Sequence, residues 1–153
     1  MQIIVTRHLT FLRPLLLLAI SLIVISGCGI HLIAPYNAET EKTIFQCAKQ
    51  VDRFYGELLE TNEQSRQYAK FSEAYVAIEA ELNALVFRNK VRSLNTDSID
   101  ISERILKLWQ KYKARHKEKD TYTTGNAELN RDNLARMFAY AVRAEGAKKP
   151  GDQ

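Results

Sequence analysis

The chain has 153 residues, 46% of them apolar and 26% charged, with six Gly and three Pro, which suits one domain and excludes collagen-like, disordered and multi-span membrane chains. Its formal charge of +4 is weaker than it looks, because residues 1–27 hold Arg7 and Arg13 and no acid; the remainder sets 20 basic side chains against 18 acidic ones, a net of +2. That balance gives no reason to expect a nucleic-acid partner, which calls for a concentrated basic face.

Residues 1–14 include Arg7, His8 and Arg13 and lack carboxylates, a composition that tends to stay on the cytoplasmic side of a membrane. Residues 15–25, LLLLAISLIVI, are an apolar run in which Ser21 is the only polar side chain. A spanning helix needs about 20 apolar residues to cross a core of about 30 Å. Extending this run backwards would bury Arg13, at about 2.5–3.5 kcal/mol near mid-membrane. The run therefore has the length of a signal-peptide core.

It ends in Ile25-Ser26-Gly27-Cys28. This resembles the lipobox of bacterial lipoprotein precursors: an aliphatic residue, two small residues, then cysteine. The resemblance covers the first 28 residues and implies cleavage between Gly27 and Cys28. It also implies a diacylglyceryl group in thioether linkage to Cys28 and an acyl chain on its new amino group. No cofactor beyond that covalent lipid is expected. One myristoyl-length chain binds a membrane only reversibly, whereas two or more hold durably. Gly29, where an Asp would imply retention at the inner membrane, favours the outer membrane by the same resemblance.

Residues 28–36 then read as the lipidated cysteine and a short tether, carrying Ile30, Leu32, Ile33 and Tyr36. Fully extended, the nine residues 29–37 reach roughly 30 Å, so the folded part is expected close to the bilayer, with the tether's apolar residues at the interface or folded onto the domain.

From Asn37 the apolar residues keep helical spacing. Ile44, Cys47, Val51, Phe54 and Leu58 form one stripe, with Asn37 placed to cap it and Glu39 and Glu41 set against the first-turn dipole. The polar interval ETNEQSRQ, residues 60–67, holds Thr61 and Gln64 at capping-box spacing. It has neither Gly nor Pro, so both a turn and one long bent helix fit. A second stripe runs through Tyr68, Phe71, Tyr75, Ile78, Leu82 and Leu85. LNTDSIDIS, residues 94–102, has the Asn, Asp and Ser signals of a helix boundary. A third stripe follows through Ile101, Ile105, Leu108, Trp109 and Tyr112. After the loop-like DTYTTGN (residues 120–126), a fourth helix is predicted over about 127–147, with Leu134, Met137, Phe138, Ala141 and Val142 inward. No segment alternates as a half-buried strand does. Residues 37–148 are thus predicted to form an all-α, antiparallel bundle of about four helices, and residues 149–153 a frayed tail.

Chemistry is sparse. The histidines are His8, His31 and His116, and neither Glu-x-x-His, Cys-x-x-Cys nor His-Glu-x-x-His occurs, so no metal site is expected. His116, among lysines, is expected on a solvated basic face. Cys47 lies on an apolar stripe and is expected to be a buried core thiol. Glu57, Glu60, Glu73, Glu79 and Glu81 fall mostly off the stripes and are expected in solvent. The most distinctive polar feature is KLWQKYKARHKEK (residues 107–119), where Lys107, Lys111 and Arg115 stack four apart and Lys113 and Lys117 stand beside them. Such a face either complements its helix C-terminus or contacts lipid phosphate, acidic glycan or an acidic partner. With no nucleophile–base pair in sight, the expected function is a non-enzymatic binding or adaptor lipoprotein for an envelope protein partner. The alternative is a binder of anionic lipid or cell-wall polymer through the Lys107–Lys119 basic face.

Overall fold

The computed structural model describes residues 33–151. The leader, Cys28 and the tether through residue 32 lie outside the described residues, as do residues 152–153. Four helices follow in order: α1 (Ala38–Glu60), α2 (Tyr68–Lys90), α3 (Thr96–Lys119) and α4 (Thr124–Gly146), with a 3₁₀ turn at Glu63–Ser65. There is no strand among the described residues. α1 packs against α2 and α4, and α3 against the same two helices. The result is the antiparallel four-helix bundle that the stripes predict. Its proximal end gathers the start of α1, the end of α2, the start of α3 and the end of α4; the distal end holds the other four termini.

The predicted stripes supply the core. Phe54, fully buried, meets Tyr55, Phe71 and Trp109 edge-on at centroid distances of 5.2, 5.9 and 5.1 Å. These separations suit aromatic quadrupoles. Trp109 spends its indole N–H on the Tyr75 carbonyl, at 3.4 Å. Val51, Leu58, Leu82, Ile105 and Leu134 close the space around them.

The polar interval breaks the first two helices apart. Thr61 ends α1, its hydroxyl bonded to the Glu57 carbonyl at 2.9 Å, so the predicted capping box at Thr61 and Gln64 does not form. Asn62 caps instead, its side-chain oxygen accepting the Gln64 N–H at 3.2 Å. The fourth helix starts three residues earlier than predicted, because the Thr123 hydroxyl accepts the Asn126 N–H.

Helix ends leave orphan N–H groups, and several are satisfied from across the bundle. Asp120, the left-handed C-cap of α3 (φ 50), accepts the Tyr68 N–H that opens α2, at 2.8 Å. Glu63 accepts the Thr124 N–H at 2.5 Å. Glu145, near the end of α4, accepts the Asn37 N–H at 2.9 Å, while Asn37 caps α1 through the Thr40 N–H at 2.8 Å. Leu94, in the α2–α3 loop, is also left-handed (φ 58). For a residue bearing Cβ this costs roughly 1–2 kcal/mol.

The described part of the tether is folded onto the domain. Ala34 is buried and its N–H donates to the Leu94 carbonyl at 2.8 Å, and Arg92 bonds the Pro35 carbonyl. The tail is also ordered further than its composition suggests. Lys148 is held by Glu145, Asn95 and Ser98 at 2.6–2.8 Å. Lys149, predicted to fray, lies over the Tyr36 ring at 4.8 Å and pairs with Glu41 at 3.4 Å.

Leu134→Ala is expected to lower the unfolding free energy by about 2–5 kcal/mol, since it opens a cavity in this core. Val76→Ser, on an exposed face, should stay within about 0.5 kcal/mol. Urea denaturation of the two variants measures the contrast.

Candidate functional site

α3 presents the predicted basic cluster, and the structure divides it. Lys107, Lys111 and Arg115 are exposed and carry no ion pair among the described residues. Arg104, unremarked in the sequence, is exposed at near-helical spacing on the same outer side. Lys113 and Lys117 turn toward α2. Lys113 Nζ binds Glu79 at 2.6 Å and Lys117 stands 6.0 Å over the Tyr68 ring. Glu79 is therefore not the solvated carboxylate expected. Gln110 also donates to it at 2.9 Å, and the Lys113 hydrogen bond holds its carboxyl below the usual range. Glu57, Glu60, Glu73 and Glu81 are exposed.

His116 corrects the sequence reading outright. It is buried, not part of the solvated face. The residue stands four after Tyr112 and seven after Trp109, so it continues the core stripe of α3 into polar territory. Its Nε2 lies 2.8 Å from the Arg66 carbonyl, which can only accept; Nε2 therefore carries the proton. Nδ1 is left to accept from the Tyr75 hydroxyl at 3.1 Å. Burial pushes the imidazole pKa down, against the smaller pull of the Arg66 carbonyl and Asp120.

Next to it lies Arg66, whose side chain is 4% exposed. The guanidinium donates to the carbonyls of Thr61, Leu59 and Tyr122 at 2.7, 3.0 and 3.1 Å and to the Thr124 hydroxyl at 3.1 Å. The Tyr122 hydroxyl accepts from Asn130 at 2.6 Å and meets that of Tyr55 at 3.3 Å. Desolvation raises the pKa of Tyr55, Tyr75 and Tyr122. Phenols held neutral and hydrogen-bonded in this way brace the distal end.

The proximal end has a counterpart that the sequence reading missed. Glu145 is 1% exposed. Its oxygens take the Asn37 N–H, Arg92 Nη1 at 3.1 Å and Lys148 Nζ at 2.6 Å. Glu145 falls four residues beyond Ala141 on the α4 stripe, and a carboxylate on a core-facing position was the available signal. Cys47 is buried, and desolvation pushes its thiol up to about 11; at neutral pH it is an inert thiol.

Between α1 and α4 the surface opens into a groove of about 650 Å³. Ala48, Val51, Phe138 and Val142 contribute its apolar floor. Lys49, Arg143 and the Asp52–Arg131 ion pair at 2.7 Å edge it. Phe45, 56% exposed, stands at one margin and also borders a second concavity of about 370 Å³ that reaches Tyr36. The one sequence signal was an aromatic residue one place off the α1 stripe. No group of three or more His, Cys, Asp or Glu side chains converges on a common point among the described residues, and no described helix is long and apolar enough to cross a membrane.

No protein-family model matches the chain, and no curated protein or solved structure matches it either.

Glu145→Leu leaves Arg92 and Lys148 without their carboxylate and is expected to cost about 3–5 kcal/mol in urea unfolding. His116, with its pKa below the ordinary 6.5 in the folded state, binds its proton more readily in the unfolded chain. Its contribution is complete above that value and is lost as pH falls through it. The lowered glutamates, whose ordinary value is 4.5, act further down the scale. Melting temperature should therefore decline from pH 7 to pH 5.5 in the native protein and stay nearly flat in His116→Gln.

Proposed function

We propose that this protein is a bacterial envelope lipoprotein, cleaved before Cys28 and held in the membrane by diacylglyceryl and N-acyl chains on that residue. Its bundle is a non-enzymatic binding or adaptor module for an envelope protein partner. The basic region, apolar core and lipobox occur in the order that export and lipidation require. Gly29 favours the outer membrane by the same resemblance.

The α1–α4 groove is the observation that carries the binding reading. It is concave, apolar at its floor and charged at its margin, the anatomy of a site for an amphipathic helix or a short apolar segment. Lys49 and Arg143 carry no ion pair among the described residues, so they suit a partner with acidic residues flanking its apolar anchors. The densest buried polar clusters, by contrast, spend their donors and acceptors on the fold itself; every buried side-chain polar atom among the described residues has a hydrogen-bond partner. A second reading rests on the unpaired row of Arg104, Lys107, Lys111 and Arg115, which suits anionic lipid or cell-wall polymer.

Metabolically supplied palmitate should label the protein, and Cys28→Ala should abolish the label and leave a longer, uncleaved chain. Unchanged processing of that variant overturns the lipoprotein assignment. A photo-crosslinking side chain at position 139 should give a discrete protein adduct in intact envelopes, lost on Val142→Arg. If the adduct forms instead at position 111, and Lys111→Glu with Arg115→Glu removes glycan or vesicle binding, the second reading replaces the first.

A further inference from the structure

Four large apolar side chains are exposed around the proximal end: Ile33 at 44%, Phe87 at 68%, Val91 at 64% and Leu94 at 58%. Phe87 and Val91 are one helical turn apart, with the Val91 N–H bonded to the Phe87 carbonyl at 3.1 Å. Leu94 follows in the loop, and its carbonyl takes the Ala34 N–H at 2.8 Å, which sets Ile33 beside it. Leu94 also holds a left-handed backbone (φ 58), where glycine or asparagine would sit at less cost. An exposed leucine in that conformation contributes little to folding. We infer that the proximal end docks directly on the bilayer, with Ile33, Phe87, Val91 and Leu94 entering its interfacial layer. This rests on the lipoprotein reading given above.

The length of chain between the patch and the anchor argues for lipid as the occupant. Ile33 follows Cys28 by five residues, which extend to roughly 17 Å at most. A helix of 23 residues is about 34 Å long, so the patch lies at the end of the bundle that the anchor keeps near the headgroups, however the bundle leans. Over so short a tether the effective concentration of bilayer at the patch is high, and shallow insertion of a few side chains is enough to orient the domain. Arg88 flanks Phe87 in sequence, with a stem that can lie along the apolar layer while its charge reaches water; Lys90, beside Val91, is paired with Glu103 at 2.8 Å. Glu39, Asp97 and Asp100 are exposed at the same end, so attraction to anionic lipid is not the driving force and a neutral bilayer suffices. The unpaired row on α3 climbs from Arg104 to Arg115 away from that surface and faces the aqueous side.

The test uses the protein as extracted from cell membranes, mixed with phosphatidylcholine vesicles, with one introduced cysteine carrying a fluorophore at position 91, 94 or 118; the buried Cys47 is spared. Brominated phosphatidylcholine should quench the labels at 91 and 94 at least threefold more than the label at 118, and 0.5 M salt should leave the pattern unchanged. Leu94→Gly with Phe87→Ser should cut quenching at 91 roughly threefold. Leu94→Gly alone should leave the melting temperature equal or higher, because it relieves the left-handed strain. Protein that floats with the vesicles while 91 and 94 stay unquenched overturns the docking alone. So does crosslinking of those positions to an envelope protein while they stay unquenched. Protein that neither floats nor carries lipid on Cys28 by mass spectrometry overturns the lipoprotein reading, and the docking with it.

Discussion

The distal half of the bundle depends on one buried guanidinium. Arg66 has no close carboxylate, since Glu63 stands 3.8 Å away and is itself 45% exposed. Its charge is met by three backbone carbonyls and a hydroxyl. Placing a cation there is costly unless such acceptors surround it, and they do so only when the end of α1 and the loop before α4 are both in place. The arginine thus ties the α1–α2 connection to the α3–α4 loop. Its own carbonyl fixes the tautomer of His116, and that ring in turn accepts from Tyr75. Glu63, a turn away, is left to cap α4.

The bundle was legible because its stripes are local: apolar residues at spacings of three and four declare a helix and its inward face without knowledge of any neighbour. The reading went wrong where a stripe continues through polar residues. His116 follows Tyr112, Glu145 follows Ala141, Asn89 follows Val86 and Asn130 follows Ala127, each on the inward face and each buried. Polarity made His116 look like surface and left Glu145, Asn89 and Asn130 unremarked, whereas position made all four core. Among the helix ends, Asn37 was legible as a cap because its partner, Thr40, is local, whereas other partners come from far along the chain. Asp120 serves Tyr68 across 52 residues and Glu145 serves Asn37 across 108, and no windowed pattern can see such a partner.

The candidate surfaces divide along the same line. The proposed lipobox is a pattern of residue order alone and asks nothing of the fold. The α1–α4 groove is made by two helices at opposite ends of the domain's sequence and exists only once they pack. The basic run on α3 was legible as composition, but which cations stay free was not. That depends on where Glu79 of α2 comes to rest: its ion pair removes Lys113 from the open row, whereas Lys117 stays exposed beside the Tyr68 ring.

The folded end of the tether has a mechanical consequence. A pull on the chain N-terminal to Ala34 does not unzip α1 from its first turn. It meets the Ala34–Leu94 bond, then the Arg92 grip on Pro35, then the Glu145 hold on Asn37, so the load passes into the α2–α3 loop and the last turn of α4. The strap enters the bundle as a splice shared by that loop and α4, and yielding requires several bonds to part.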